Sequence, residues 1–133
     1  MAYLIKNGNL RKKLGFTLIE LLVVMVIIGT LLSIVTPKYF SSLEHSKEVA
    51  LKQDLSVMRE AISNFHNDLN HYPTNLNELV DHMYLKNIPI DPITERKDTW
   101  QVVLSSDPDD IGMSDIKSGA EGKSRDGTPY QQF

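Results

Sequence analysis

Residues 11–37 read RKKLGFTLIELLVVMVIIGTLLSIVTP. Phe16 to Val35 makes 20 residues, long enough to cross a bilayer core as a helix. Leu21 to Thr36 carries no charge and is almost wholly apolar. Ahead of it, Lys6, Arg11, Lys12 and Lys13 form a basic head with no acid among them, and Gly15 closes that head. Positive charge on one flank of an apolar segment keeps that flank on the cytoplasmic side. One carboxylate, Glu20, interrupts the run near its start. Secretory signals place their cut behind the apolar region, after small residues. Here no such site follows the run, and the glycine precedes it.

The chain has 133 residues, 14 basic and 17 acidic, for a net charge of −3. Beyond Gly15, ten basic residues face all 17 acids, net −7. An acidic body behind a basic head has no broad electrostatic footprint for nucleic acid. There is no cysteine, so neither a disulfide framework nor a thiolate metal site. With the apolar stretch removed, roughly 100 residues remain, enough for one small core.

From Lys38 the pattern becomes amphipathic. Leu51, Leu55, Met58, Ile62, Phe65 and Leu69 recur at steps of four and three, the stripe of a helix with one buried face. Lys52, Asp54, Arg59, Glu60, Asn64 and Asp68 lie between them as its solvated side. The spacing predicts one nearly continuous helix from Phe16 to about Asn70, apolar all round in its first half. Pro37 is expected to end or kink it. Tyr72-Pro73 breaks the pattern. Asn75 can then cap a short helix, with Glu78 placed for the reciprocal bond and Leu76, Leu79, Val80 and Met83 as its buried side. Ile88 to Pro92 reads as an extended loop, and Thr99 to Leu104 as a strand. Asp107 to Asp110 reads as an acidic turn, Met113 to Lys117 as a short strand, and Ser118 to Pro129 as loop. No internal repeat is present.

A basic leader, Gly15, Phe16-Thr17-Leu18-Ile19-Glu20 and a long apolar helix together resemble the type IV prepilin processing signature, with Pro37 where pilins commonly carry a proline. His71-Tyr72-Pro73-Thr74 with Leu76 and Leu79, then Ile88-Pro89, Asp91-Pro92 and Trp100, is similar to the G-type (major) pseudopilins of type II secretion. The resemblance implies an α+β, pilin-like fold. A long N-terminal helix, membrane-spanning in its first half, would pack on a small antiparallel sheet followed by C-terminal loops. It divides the chain into a cleaved leader (1–15), a transmembrane and filament-core helix (16–37) and a periplasmic globular domain (38–133). It further implies that a prepilin peptidase cuts between Gly15 and Phe16, that the Phe16 amine is N-methylated, and that the helix is kept. The expected location is the bacterial inner membrane as a single pass, N-terminus cytoplasmic and body periplasmic, and then a filament. Implied partners are the peptidase, copies of the chain, other pseudopilins and an inner-membrane platform.

Glu20 carries a physical argument of its own. A central carboxylate in a membrane helix costs about 2.5–3.5 kcal/mol on insertion scales, and less near the end, so such groups find partners. By the resemblance, the partner is the N-terminal amine of a neighbouring subunit. A carboxylate here also suits the first turn of its own helix. Gly29, Thr30 and Ser33 read either as a face for close helix approach, as a weak stretch above Pro37, or as ordinary membrane-helix composition.

Major pseudopilins usually carry a longer, calcium-binding C-terminal loop. Asp115, Ser118, Glu121 and Asp126 are the candidate hard-oxygen ligands here, with Lys123 and Arg125 opposing a cation. Otherwise no cofactor is expected. Asp107, Asp109 and Asp110 lack a calcium-loop pattern and read as a solvated turn. His45, His66, His71 and His82 have no zinc spacing, and no nucleophile, phosphate-loop or dinucleotide motif occurs. The chain thus reads as a non-enzymatic structural subunit of a type II secretion pseudopilus. The alternatives are a type IV pilus subunit serving adhesion, motility or DNA uptake, or a periplasmic enzyme or binding protein on a pilin-like anchor.

Overall fold

The structure is a computed structural model that describes residues 2–3 and 14–133. The basic leader residues Lys6, Arg11, Lys12 and Lys13 lie outside them. The chain resolves into two compact units, residues 1–39 and residues 40–133. Helix α1, Leu18–Leu69, contributes to both.

In the first unit α1 begins at Leu18, two residues later than the hydropathy pattern places it. Thr17 is the reason. It stands one residue before the helix and closes a capping box with Glu20, the two-way bonding of free helix-start amides that Thr-x-x-Glu favours. Every described residue from Leu14 to Phe40 is exposed. By length and composition α1 can cross a membrane. Pro37 does not end α1. Proline removes one helical donor, and membrane helices tolerate this where hydroxyls re-engage the carbonyls nearby. The carbonyl left without its helical donor is that of Ser33; beside it the Thr36 hydroxyl donates to the Leu32 carbonyl at 2.6 Å.

In the second unit α1 meets the core. No glycine or proline occurs between Lys38 and Leu69, so nothing interrupts the hydrogen-bond ladder. Leu51, Leu55, Met58, Ile62 and Phe65 are buried, joined by Ala61. At about 1.5–3 kcal/mol per fully buried large side chain, this stripe is the main cohesive face. Leu69, assigned to the stripe from spacing, is exposed instead. It is the last helical residue, and Asn70 turns the chain away at φ 55°.

Helix α2, Leu76–Asp81, is capped by Asn75, whose side chain accepts from the Glu78 amide at 3.0 Å. The return bond of Glu78 goes to the Thr74 amide at 2.6 Å, one residue before the expected place. Leu76 and Leu79 are buried, but Met83 is 91% exposed. Met83 lies beyond α2 at φ 64°, in the left-handed position of a Schellman ending. The Tyr84 amide reaches the Leu79 carbonyl at 2.9 Å and the Met83 amide reaches Val80 at 3.1 Å.

Strands β1, Trp100–Leu104, and β2, Met113–Ser118, form a two-stranded antiparallel sheet. Trp100 pairs with Ser118 and Val102 with Ile116, and a bulge at Val103/Leu104 shifts the register. An isolated two-stranded sheet is marginal in water. This one is held because Trp100, Met113 and Ile116 join the α1 stripe, with Leu76, Leu79 and Leu85, in one core. The architecture is therefore α+β and pilin-like. A short 3-10 turn, η1, Tyr130–Gln132, ends the chain's regular structure. It falls in a stretch with no apolar period from which to read it.

Candidate functional site

Leu14 to Thr17 has no regular structure and is exposed, Phe16 to 93%. Nothing lies within 4 Å of where a Gly15 side chain would begin. The Gly15–Phe16 peptide thus stands outside α1 in an exposed, irregular stretch, where a protease can engage the backbone. Directly after it comes the capping box. The Thr17 amide donates to Glu20 Oε2 at 2.8 Å, and the Thr17 hydroxyl donates to the same oxygen at 3.0 Å. The Glu20 amide donates back to Thr17 Oγ1 at 3.3 Å. The carboxylate is therefore not stranded on an apolar helix. Its charge also sits at the helix N-terminus, where the peptide dipoles favour it.

All of these bonds to the carboxylate fall on Oε2. A carboxylate has about four lone-pair sites, so Oε1 is not used by the capping box. Glu20 borders a shallow groove of about 340 Å³ with Phe16, Ile19, Val23 and Val24. The carboxylate thus sits at the helix start beside exposed apolar side chains.

Residues 10–36 match a family model described as a prokaryotic N-terminal methylation motif. Over 97 residues the chain is 33% identical to the type II secretion system core protein G of Escherichia coli (strain K12), covering 61% of this chain and 67% of that one. The Aeromonas hydrophila protein of the same name is 33% identical over 98 residues, 62% of this chain and 68% of its own. The chain belongs to the type II secretion system core protein G family. The Dickeya chrysanthemi member aligns over more of it, 27% identical across 113 residues, 85% of this chain and 74% of that one. No solved structure matches the chain.

In this core protein G chain three of the four candidate calcium ligands meet something else. Asp115 accepts from Arg59 Nε at 2.7 Å. Ser118, fully buried, donates to Asp91 Oδ2 at 2.6 Å. Asp126 closes its own turn, accepting from the Ser124 hydroxyl and from the Thr128 amide at 3.0 Å. Those bonds, Ser124's first, draw the Asp126 carboxyl down to about 2. Glu121 is exposed. Strand alternation sets positions 115 and 118 on opposite faces, so they cannot converge. Among the described residues no three His, Cys, Asp or Glu side chains are gathered as a metal would need. These residues, as placed, do not fit a calcium cradle.

The family's body is braced by polar residues that hydropathy reading passes over. Asp91 is fully buried and accepts from the Ile93 amide at 2.8 Å, the Thr94 amide at 3.3 Å and the Ser118 hydroxyl at 2.6 Å. Burial, with the nearby Asp91 charge second, pushes the Asp54 carboxyl above its ordinary value. Arg59 ties α1 to the chain's end. Besides Asp115 it donates to the Ile116 carbonyl at 3.0 Å and the Phe133 carbonyl at 2.8 Å.

Asp110 is not merely a solvated member of its turn. It accepts from the Tyr72 amide at 2.9 Å and pairs with His66 Nε2 at 2.7 Å, clasping the turn to the end of α1. The Tyr72 amide first, then His66, holds its carboxyl below the usual range. The signal for Asp91 lay in the sequence as Asp-Pro-Ile-Thr, since aspartate commonly accepts from amides two and three residues on. No local signal marks the Asp110 clasp, whose partners are 38 and 44 residues away.

Proposed function

We propose that this chain is a pseudopilin that is cut between Gly15 and Phe16, methylated on the new amine, and polymerised through α1 into a type II secretion pseudopilus. The observation that carries this is the N-terminal constellation, an open Gly15–Phe16 peptide followed at once by the Thr17–Glu20 capping box. It lies in the stretch that matches the methylation motif, on a chain of the core protein G family. The apolar first half of α1 is stable either in lipid or among copies of itself, so a subunit can pass between the two. In the membrane, Thr17 keeps Glu20 hydrogen-bonded. In the filament, Oε1 accepts the methylated amine of an adjacent subunit, which fixes axial register. The partners are then a prepilin peptidase, copies of this chain, other pseudopilins and the assembly platform, with the second unit in the periplasm. The role is structural, not enzymatic, and no step in it needs a cofactor.

Glu20→Gln tests this directly. The amide keeps a hydrogen-bond acceptor toward Thr17 but loses the charge that draws an amine. The protein should remain in the inner membrane at normal level while filaments fall at least about tenfold, the equivalent of one charge-assisted bond. Normal filament yield from Glu20→Gln would sink the assigned role of Glu20.

A further inference from the structure

Strand β1 leaves one edge without a partner strand among the described residues. Ser105 fixes which backbone groups point there. Its amide donates across the hairpin to the Gly112 carbonyl at 2.8 Å. The Ser114 hydroxyl likewise reaches the Val103 carbonyl at 3.3 Å. Backbone groups alternate sides along an antiparallel strand. Those of Gln101, Val103 and Ser105 therefore face β2, and those of Trp100, Val102 and Leu104 face away from it. Among the described residues, none of the latter three makes a backbone hydrogen bond outside the sheet.

The opposite edge of the sheet is finished. Ile116, which pairs with Val102, also turns its backbone groups away from the pairing. Its amide donates to Asp115 Oδ1 at 2.7 Å, and its carbonyl accepts from Arg59 at 3.0 Å. Charged side chains thus close β2, a common guard for a strand edge. Strand β1 has no such guard. Residues 99–106 read TWQVVLSS, with neither charge nor proline. A bulge can also twist an edge out of use, but this one adds its extra residue, Ser114, to β2. Beside the open backbone, Val102 is 43% and Leu104 63% exposed. Both share a face with the buried Trp100, so apolar surface runs off the core at the very edge that lacks hydrogen bonds.

An open, uncharged edge is a template for another strand, and β1 of a second copy fits it. Antiparallel pairing centred on Val102 sets Trp100 of each copy against Leu104 of the other. The full strand is used, and outward amides meet outward carbonyls. The flanks are complementary as well, since Lys97 of each copy falls opposite Asp107 of the other. Both residues are exposed. Lys97 has no partner among the described residues, and the Asp107 carboxylate bonds only within its own turn, to the Asp109 amide at 3.0 Å. Neighbouring registers are worse. One sets the charge of Asp98 against Leu104, and the other sets Trp100 against Ser106.

We propose that the β1 edge is the interface of a two-fold dimer of this chain, the two sheets joining through Val102 into one. This goes beyond the pseudopilin role and does not rest on it. A two-fold contact closes on itself and cannot repeat along a filament. The pair therefore belongs to subunits not yet assembled, where it keeps an unguarded edge from other chains.

The chain has no cysteine, so an introduced one reports alone. The test oxidises Val102→Cys in isolated membranes that hold the full chain. Position 102 lies opposite itself across the axis, with Cα atoms about 5.5 Å apart in a hydrogen-bonded pair, within disulfide range. A disulfide-linked dimer should form. Ser106→Cys, equally exposed but far from the axis, should give none. Adding Lys97→Glu to Val102→Cys should cut the yield at least about threefold at low salt, because both ion pairs become repulsions. Adding Asp107→Lys as well should restore it. All these positions are exposed, so the fold tolerates the changes.

Absence of the Val102→Cys dimer overturns the proposal, as does an equal dimer from Ser106→Cys, which marks chance collision. A yield indifferent to Lys97→Glu does the same. A cross-link to a different protein gives the edge to another partner and overturns the dimer. Glu20→Gln should leave the cross-link intact, and its loss there would make the contact a product of assembly and refute the two-fold pair. Normal filaments from Glu20→Gln with the cross-link intact would sink the role given to Glu20 and leave the pairing standing.

Discussion

Replacing Asp91 with alanine should take a large share of the body's stability. The side chain is wholly buried and accepts three hydrogen bonds, two at 2.6 and 2.8 Å and one long at 3.3 Å. The Ser118 hydroxyl it holds accepts in turn from the Ala120 amide at 3.1 Å, so one carboxylate pins the 91–94 turn to the end of β2. Bonds to a charged acceptor contribute about 1.5–3 kcal/mol each. Against their sum stands the desolvation of the carboxylate, which alanine relieves, so the net loss is about 3–4 kcal/mol. Small domains have only about 5–15 kcal/mol in total. For a body of this size the melting temperature should fall by about 15–25 °C.

Trp100 is the chain's only tryptophan and reports on this region. It is buried, and its indole donates to the Pro89 carbonyl at 2.9 Å. Urea titration followed by its fluorescence gives the free energy. Asp91→Asn keeps the oxygen that meets the two amides and should cost less, about 1–2 kcal/mol. A loss below about 0.5 kcal/mol for Asp91→Ala, the range of ordinary surface changes, would refute the reasoning. So would an asparagine variant less stable than the alanine.

Other expectations follow from the same contacts. Arg59→Met should destabilise by about 2 kcal/mol, since three bonds are lost but both partners of the ion pair are more than a third exposed (39% and 38%) and therefore screened. Urea melts of that variant check it. Asp126 and Asp110 have folded values below their unfolded ones, so their contributions are complete above the ordinary carboxylate range. They vanish as pH falls through the folded values, about 2 for Asp126. Stability measured against pH should show a shallower acid decline in Asp126→Asn than in the parent. Asp54 runs the other way. Its raised carboxyl means that stability is lost as pH rises through its folded value, so Asp54→Asn should stabilise the chain at neutral pH.

Most of the architecture could be read from apolar spacing. Leu51 to Phe65 declare a buried helical face, Tyr72-Pro73 its end, Asn75 a cap and Thr99 to Leu104 a strand. These are local signals, and the structure keeps them. Misplaced residues sit at ends. Leu69 is the last residue of α1, directly before the left-handed Asn70, and Met83 is itself left-handed beyond the end of α2. Helix α1 starts late because Thr17 and Glu20 together make a better cap than Phe16 makes a first turn.

The candidate site was legible for the same reason. Gly15, Phe16 and Glu20 are fixed by spacing within one short segment. Arg59 and Asp110 were not, because each is satisfied by groups far away in sequence, and of Asp91 only the local turn could be read, not its burial or its Ser118 partner. The same distance separates two of the calcium candidates from their partners. Asp115 and Ser118 look like ligands in sequence, but Arg59 and Asp91 reach them first.

The most direct test of the pseudopilin account is the intact mass of the protein from its native membrane. The account predicts the mass of residues 16–133 plus one methyl group. The mass of the uncut chain, from cells with a working prepilin peptidase, would contradict it.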